Sequence, residues 1–148
     1  MIIGALARNI LQEYPMRVLI ADDQKGVGTT IAALVSECEH EVFEVVGSGF
    51  EAIQAYNRHR PDVVLMDYFM PRLNGATACR NILSRYPAAN VILVSGKVGA
   101  EDLGHSGAMA MLSKPIDLAE LKVLLSASSP QNEDPDDPSF PQNPIADS

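Results

Sequence analysis

The stretch VLIADDQKGVGTT, Val18–Thr30, opens on a branched apolar run and reaches two adjacent carboxylates, Asp22 and Asp23. It passes at once into the glycine-bearing KGVGTT. Two architectures hold such a stretch. A loop that cradles the phosphates of a nucleotide requires G-x-x-x-x-G-K-[ST], with the lysine reaching the phosphates. Here Gly28 is followed by Thr29, and Lys25 lies before the glycines, so that spacing is not met. The other architecture is a strand buried on both faces that ends in an acidic pair, followed by a glycine-loosened helix start. The first implies a nucleotidase, the second an acidic pocket for a cation. The rest of the chain favours the second.

Outward from this stretch, strand and helix patterns alternate. Met16 to Ala21 is the first strand, and Ile31, Leu34, Val35 and Cys38 recur after it at helical spacing. EVFEVV, Glu41 to Val46, is a second strand, with Phe43 and Val45 expected on one face. Phe50, Ile53 and Tyr56 give a helical stripe that stops before Pro61. DVVLMD, Asp62 to Asp67, is a continuously apolar third strand ending in a carboxylate. Ala76, Cys79, Ile82, Leu83 and Tyr86 form the next helix, closed by Pro87. NVILVS, Asn90 to Ser95, is a fourth strand, and AMAML, Ala108 to Leu112, a weaker fifth. Leu118, Leu121, Leu124 and Leu125 make a last helix with Asp117 as its N-cap. The pattern predicts an α/β fold: a doubly wound five-stranded parallel sheet with helices on both faces. The segment from Gly96 to Gly107 has four glycines and a single strong apolar residue in its middle, Leu103, which predicts a short or irregular helix.

Three parts are expected: an N-terminal extension over 1–15, one domain over 16–126, and a disordered acidic Pro/Ser-rich tail over 127–148. In the extension, Ile2, Ile3, Leu6, Ile10 and Leu11 share a helical stripe, which suits either a short docking or dimerising helix or a frayed end. It has no long apolar core or clear cleavage site and makes a poor signal peptide. The tail carries Glu133, Asp134, Asp136, Asp137 and Asp147 and no base, a composition that cannot build a core. The net charge is −8, and the absence of a basic stripe argues against a nucleic-acid partner. No apolar run approaches the ~20 residues of a membrane span, and a cytoplasmic location is expected. Cys38 and Cys79 fall on helical stripes and have no metal-ligand spacing, so buried free thiols are expected rather than a disulfide or zinc.

In an open parallel sheet, ligands bind beyond the carboxyl ends of the strands. Asp22 and Asp23 end the first strand, Asp67 the third and Ser95 the fourth, and Lys114 follows the fifth. Five polar groups on one edge are more than strand-ending caps require. Two unit charges ~4 Å apart cost about 4 kcal/mol at an effective dielectric of 20, so three carboxylates together need an opposing charge. Lys114 supplies one, and Mg²⁺, which takes one or two carboxylates plus waters and a phosphate, supplies two more. Asp67 is the carboxylate placed to act as a nucleophile toward phosphorus.

These residues resemble a known family. ADD at Ala21–Asp23, MDYFMPRLNG at Met66–Gly75, VSG at Val94–Gly96 and SKP at Ser113–Pro115 are similar to the motifs of response-regulator receiver domains of two-component systems, from Met16 to about Ser126. The resemblance implies the flavodoxin-like receiver fold and a set of roles. Asp67 would be the phosphoacceptor. Asp23 and Asp67 would bind Mg²⁺ directly, Asp22 through water, and the backbone carbonyl of Phe69 would be a further ligand. Ser95 would hydrogen-bond one phosphoryl oxygen and Lys114 would pair with another. The Lys114–Pro115 peptide would be cis. The switch position of the fifth strand, usually Tyr or Phe, is Met111 here, and Phe69 and Lys97 occupy positions that tune phosphoryl lifetime.

The implied protein is a stand-alone receiver and a signalling phosphoacceptor rather than an enzyme. It would undergo Mg²⁺-dependent self-phosphorylation and slow self-dephosphorylation. Its partners would be a sensor histidine kinase or a histidine phosphotransfer protein, and a downstream protein. Two rivals stay open: a pseudo-receiver that serves only for contacts, and, more remotely, an aspartyl-phosphate phosphatase. The phosphatase pattern places a second Asp two residues after the nucleophile, where this chain has Phe69.

Overall fold

The computed structural model describes residues 15–96 and 105–128. Among them, five strands alternate with helices: β1 (Arg17–Ala21), α1 (Lys25–Glu37), β2 (Glu41–Val46), α2 (Gly49–His59), β3 (Val63–Asp67), α3 (Gly75–Arg85), β4 (Val91–Ser95), β5 (Ala110–Ser113) and α4 (Leu118–Ala127). The strands form one parallel sheet in the order β2-β1-β3-β4-β5. The order reverses between β1 and β3, which opens a crevice at the carboxyl ends of those two strands. The expected extension over residues 1–15 lies outside the described residues apart from Pro15. The expected tail lies outside them from residue 129, and the glycine-rich segment over 97–104, with Lys97.

The central strands are apolar except at one end, Arg17 of β1, Asp67 of β3 and Ser95 of β4, because helices cover both faces. On one face, Ala52, Ala55 and Tyr56 of α2 and Ala76, Cys79 and Ile82 of α3 pack on Leu19, Val64, Met66 and Leu93. On the other, Ile31 and Val35 of α1 and Leu121 and Leu125 of α4 pack on Val18, Ile20, Leu65, Ile92 and Val94. Cys79 is buried and Cys38, which caps α1, is half-buried; both are free thiols.

Helix ends follow local chemistry. Ser48 caps α2 by accepting from the Glu51 N–H, Asn74 caps α3 by accepting from the Thr77 N–H, and Asp117 accepts from the Ala119 N–H at the head of α4. Each satisfies one orphan donor of a first turn. KGVGTT forms the first turns of α1 with no side-chain cap. A Cβ at its Gly28 would sit 3.0 Å from Val45 Cγ1, so a larger residue there would press on the Val45 side chain.

Two expectations need correction. Phe50 is 56% exposed; the face of α2 that packs is the small-residue one, Ala52 and Ala55 with Tyr56. Phe43 and Val45 do not share a face. The β1–β2 register shifts between Val18 and Leu19, whose partners are Val42 and Glu44. The extra residue resets the alternation, so Phe43 packs with the α2 side while Val45 meets α1 at Gly28.

Candidate functional site

Parallel register brings the polar residues together. Ala21 pairs with Met66, Asp67 with Val94, and Ser95 with Ser113. Asp67 and Ser95 within those pairs, and Asp22 and Lys114 one step beyond them, therefore stand on one rim of the sheet. Asp22, Asp67 and Ser95 are buried, while Asp23 is exposed and Lys114 is half-buried.

Lys114 Nζ donates to Asp22 Oδ2 at 2.9 Å and to Asp67 Oδ1 at 3.2 Å. The other oxygen of Asp22 accepts from the backbone N–H of Gln24 at 2.9 Å. Asp22 is thus clamped between the start of α1 and the lysine. The Lys114 N–H donates to the Ser95 carbonyl at 2.9 Å, and the Lys114–Pro115 peptide is cis.

Gly75 fixes the far side. Its N–H donates to the Tyr68 carbonyl at 2.7 Å, and a Cβ added there would overlap the carbonyl oxygen of Asp67. Only glycine lets α3 begin this close to the acidic strand end. The sequence motif marks Gly75, but not this reason for it. The clamp on Asp22 from the Gln24 backbone was also missed, because a backbone donor leaves no signal in residue type.

Burial, reinforced by the Asp22 charge, pushes Asp67 up to about 6, and Lys114 offsets only part of this. Burial pulls Lys114 down, but its hydrogen bond to Asp22 and the charges of Asp67 and Asp22 outweigh that and raise it. A pocket whose carboxylate resists ionising beside a firmly protonated lysine is short of positive charge. One carboxylate oxygen from each of Asp22, Asp23 and Asp67 lies within 4.8 Å of the other two. Three hard oxygens at this spacing, one from an exposed side chain, fit Mg²⁺ with water completing its shell.

Phe69 is 55% exposed at the lip of the site, with its ring 4.7 Å from that of Tyr68. Met111 of β5 pairs with Leu93 of β4 and is half-buried against the α2/α3-side core, as is Tyr68.

A doubly wound parallel sheet with a lysine-bridged acidic pocket at its switch point defines a flavodoxin-like α/β protein whose polar site lies beyond the carboxyl ends of its strands. The chain belongs to the response regulator receiver domain family, which it matches over residues 18–126. It is 37% identical over 109 residues to the transcriptional regulatory protein PdtaR of Mycobacterium tuberculosis (strain ATCC 25618 / H37Rv), covering 72% of this chain and 53% of the relative. It is 33% identical over 103 residues to the chemotaxis protein CheY of Listeria monocytogenes serovar 1/2a (strain ATCC BAA-679 / EGD-e), covering 68% and 87%. The chain thus spans about half the length of PdtaR. Among solved structures, the CheX–CheY–BeF3–Mg complex of Borrelia burgdorferi matches with a TM-score of 0.71 at 26% identity, covering 76% of this chain and 88% of that one.

Receiver domains are signalling phosphoacceptors of two-component systems. They bind Mg²⁺ at an acidic site, take phosphoryl groups from histidine kinases and contact other proteins. No helix among the described residues is long and apolar enough to cross a membrane.

Proposed function

We propose that Asp67 accepts a phosphoryl group from a phosphohistidine and that the phosphorylated chain signals by protein contact. The reading rests on one observation above all: Lys114 Nζ bridges Asp22 and Asp67 while Asp23 completes a triad of carboxylate oxygens. In the transfer, an Asp67 oxygen attacks phosphorus, the P–N bond to the donor imidazole breaks, and the electron pair leaves with the imidazole. The phosphoryl group passes through a loose transition state, so positioned positive charge does most of the work.

Lys114 stands ready to leave Asp67 for a phosphoryl oxygen while keeping its 2.9 Å contact with Asp22. Ser95 supplies a hydroxyl from the end of β4. Asp23 and Asp67 would ligate Mg²⁺ directly, with Asp22 through water and the Phe69 carbonyl as a further ligand. Bound there, Mg²⁺ would supply the divalent charge that the three carboxylates lack and orient the phosphoryl oxygens. Met111 fills the switch position. A flexible thioether follows Ser95 less rigidly than a ring would.

The receiver unit spans 16–126, flanked by an extension and a tail that take no part in the chemistry. The donor is a sensor histidine kinase or a histidine phosphotransfer protein, met in the cytoplasm, and the output is a downstream protein.

The test is direct. With acetyl phosphate and Mg²⁺, the protein should gain one base-labile phosphate, mapped by mass spectrometry to Asp67 and absent without Mg²⁺. Labelling at another residue refutes the assignment. No labelling under any condition leaves a module that works by contact alone.

A further inference from the structure

At the end of the sheet away from the acidic pocket, two arginines share one aromatic ring. Arg60 caps the carboxyl end of α2, just before β3, and Arg85 closes α3, before β4. The Arg60 guanidinium carbon lies 4.3 Å from the centre of the Tyr86 ring, and that of Arg85 lies 5.9 Å from it. The ring is itself held. It packs 5.1 Å from the ring of Tyr56, and its hydroxyl donates to Asn57 Oδ1. Both arginines are exposed while Tyr86 is half-buried. Among the described residues, neither guanidinium is paired with a carboxylate.

Helix carboxyl ends attract cations, which accounts for a positive residue near each terminus. It does not account for arginine at position 60. The Arg60 backbone is left-handed, with φ 45° and ψ 63°, the conformation in which a helix stop favours glycine. It also directly precedes Pro61, and proline steers the residue before it toward extended backbone. The cap is made by the main chain, since the Arg60 N–H donates to the Tyr56 carbonyl at 2.8 Å. Glycine would therefore serve the fold with less strain. Stacking an exposed guanidinium on a ring returns no more than such strain costs. What the side chain adds is a guanidinium held in place and left open to an anion.

We propose that Arg60 and Arg85, aligned on the Tyr86 ring, form a docking point for an Asp/Glu-rich segment of a partner protein. Each planar fork matches one carboxylate with two parallel hydrogen bonds, so two arginines suit a short acidic segment. A nucleic acid gathers its affinity from many phosphate contacts, and a chain of net charge −8 repels so long a polyanion outside this patch. The five residues of β3 span about 17 Å between this end of the sheet and Asp67. A partner seated here leaves the acidic pocket open, and the docking does not depend on the phosphoacceptor reading above.

Fluorescence anisotropy on the full chain, with a labelled oligoglutamate peptide as probe, reads the docking. The Arg60→Gln/Arg85→Gln double variant should bind the peptide about tenfold more weakly than the unmodified chain. Arg60→Lys keeps the charge but loses the fork, and should weaken binding about threefold. Lys25→Gln removes an exposed cation at the head of α1 and should leave binding unchanged; an equal loss there would reduce the effect to bulk charge and overturn the proposal. Arg60→Gly should bind weakly yet melt no lower than the unmodified chain, because it relieves the left-handed backbone. A lower melting temperature would show that Arg60 is held for packing, and overturns the proposal. So does the absence of peptide binding by the unmodified chain, or equal binding by it and the double variant. A single-stranded RNA of the same length that binds more tightly than the peptide, with the same dependence on both arginines, overturns the protein partner. A dimer in sedimentation that the double variant abolishes overturns it by assigning the patch to a second copy.

Discussion

Asp67 lies in a pocket that opposes its own ionisation. Its carboxyl is raised from 3.8 to about 6 by burial and by Asp22. The folded protein without metal therefore holds a proton on Asp67 that the unfolded chain gives up near pH 3.8. Stability from this group is fully present below that lower value and is lost as pH rises through about 6; a shift near two units bounds the loss at roughly 3 kcal/mol. Asp67→Asn removes the titration but keeps the shape. At about pH 7 without Mg²⁺ the variant should melt higher than the parent by several degrees, a gain that fades below about pH 4. The same substitution should abolish phosphate labelling. A variant that melts lower at neutral pH would show that the pocket's charge is better compensated than its contacts indicate. Catalysis needs the ionised form, so labelling at low Mg²⁺ should fall as pH drops through about 6.

Individual elements divide into those that aim the site and those that only support the fold, and two substitutions separate them. Ser48→Ala removes the cap of α2 and should cost about 1 kcal/mol, measured by denaturant midpoint, with labelling unchanged. Gly75→Ala forces a Cβ against the Asp67 carbonyl. It should cost about 1–3 kcal/mol as overpacking does and also slow labelling, because the displaced atom belongs to the backbone of Asp67. The same division explains what the sequence made legible. Strand–helix alternation was readable because each central strand carries an unbroken run of at least four apolar residues. The convergence of Asp22, Asp67, Ser95 and Lys114 followed, since parallel strands must end on one rim. Phe50 misled because hydrophobicity at helical spacing does not say which face is wide enough to need a large residue; against this sheet, Ala52 and Ala55 allow the close approach. Val45 misled because a one-residue bulge leaves no mark in composition yet flips every side chain after it. Pair distances, and the choice of Lys114 as partner to both Asp22 and Asp67, are properties of the assembled fold that no local pattern encodes.

At the scale of the whole molecule, the three carboxylates proposed to hold the cation also bear on stability. A ligand that binds only the folded state adds stability by mass action, about 2.7 kcal/mol at a hundred times its dissociation constant. Mg²⁺ should therefore raise the melting temperature beyond what an equal ionic strength of NaCl achieves, since screening alone does little for groups buried at 2% and 6% exposure. Asp23→Ala should remove most of that rise. Asp23 is exposed and makes no contact with Lys114 of the kind Asp22 and Asp67 make, so its loss subtracts a ligand without leaving the lysine unpaired. Removing residues 129–148 should leave both the Mg²⁺ response and the labelling unchanged, because a stretch so rich in Pro, Ser, Asn and Asp has little apolar surface to add to a core. The strongest test joins the metal to the proton. Mg²⁺ and H⁺ compete for Asp67, so at about pH 5, where that carboxyl is mostly protonated, the Mg²⁺-induced rise in melting temperature should shrink well below its value at about pH 7.5. Asp67→Asn should flatten that pH dependence while keeping part of the rise through Asp23. A rise equal at both pH values in the parent protein would mean that the cation sits away from Asp67, and a cation held elsewhere could not orient a phosphoryl group on it.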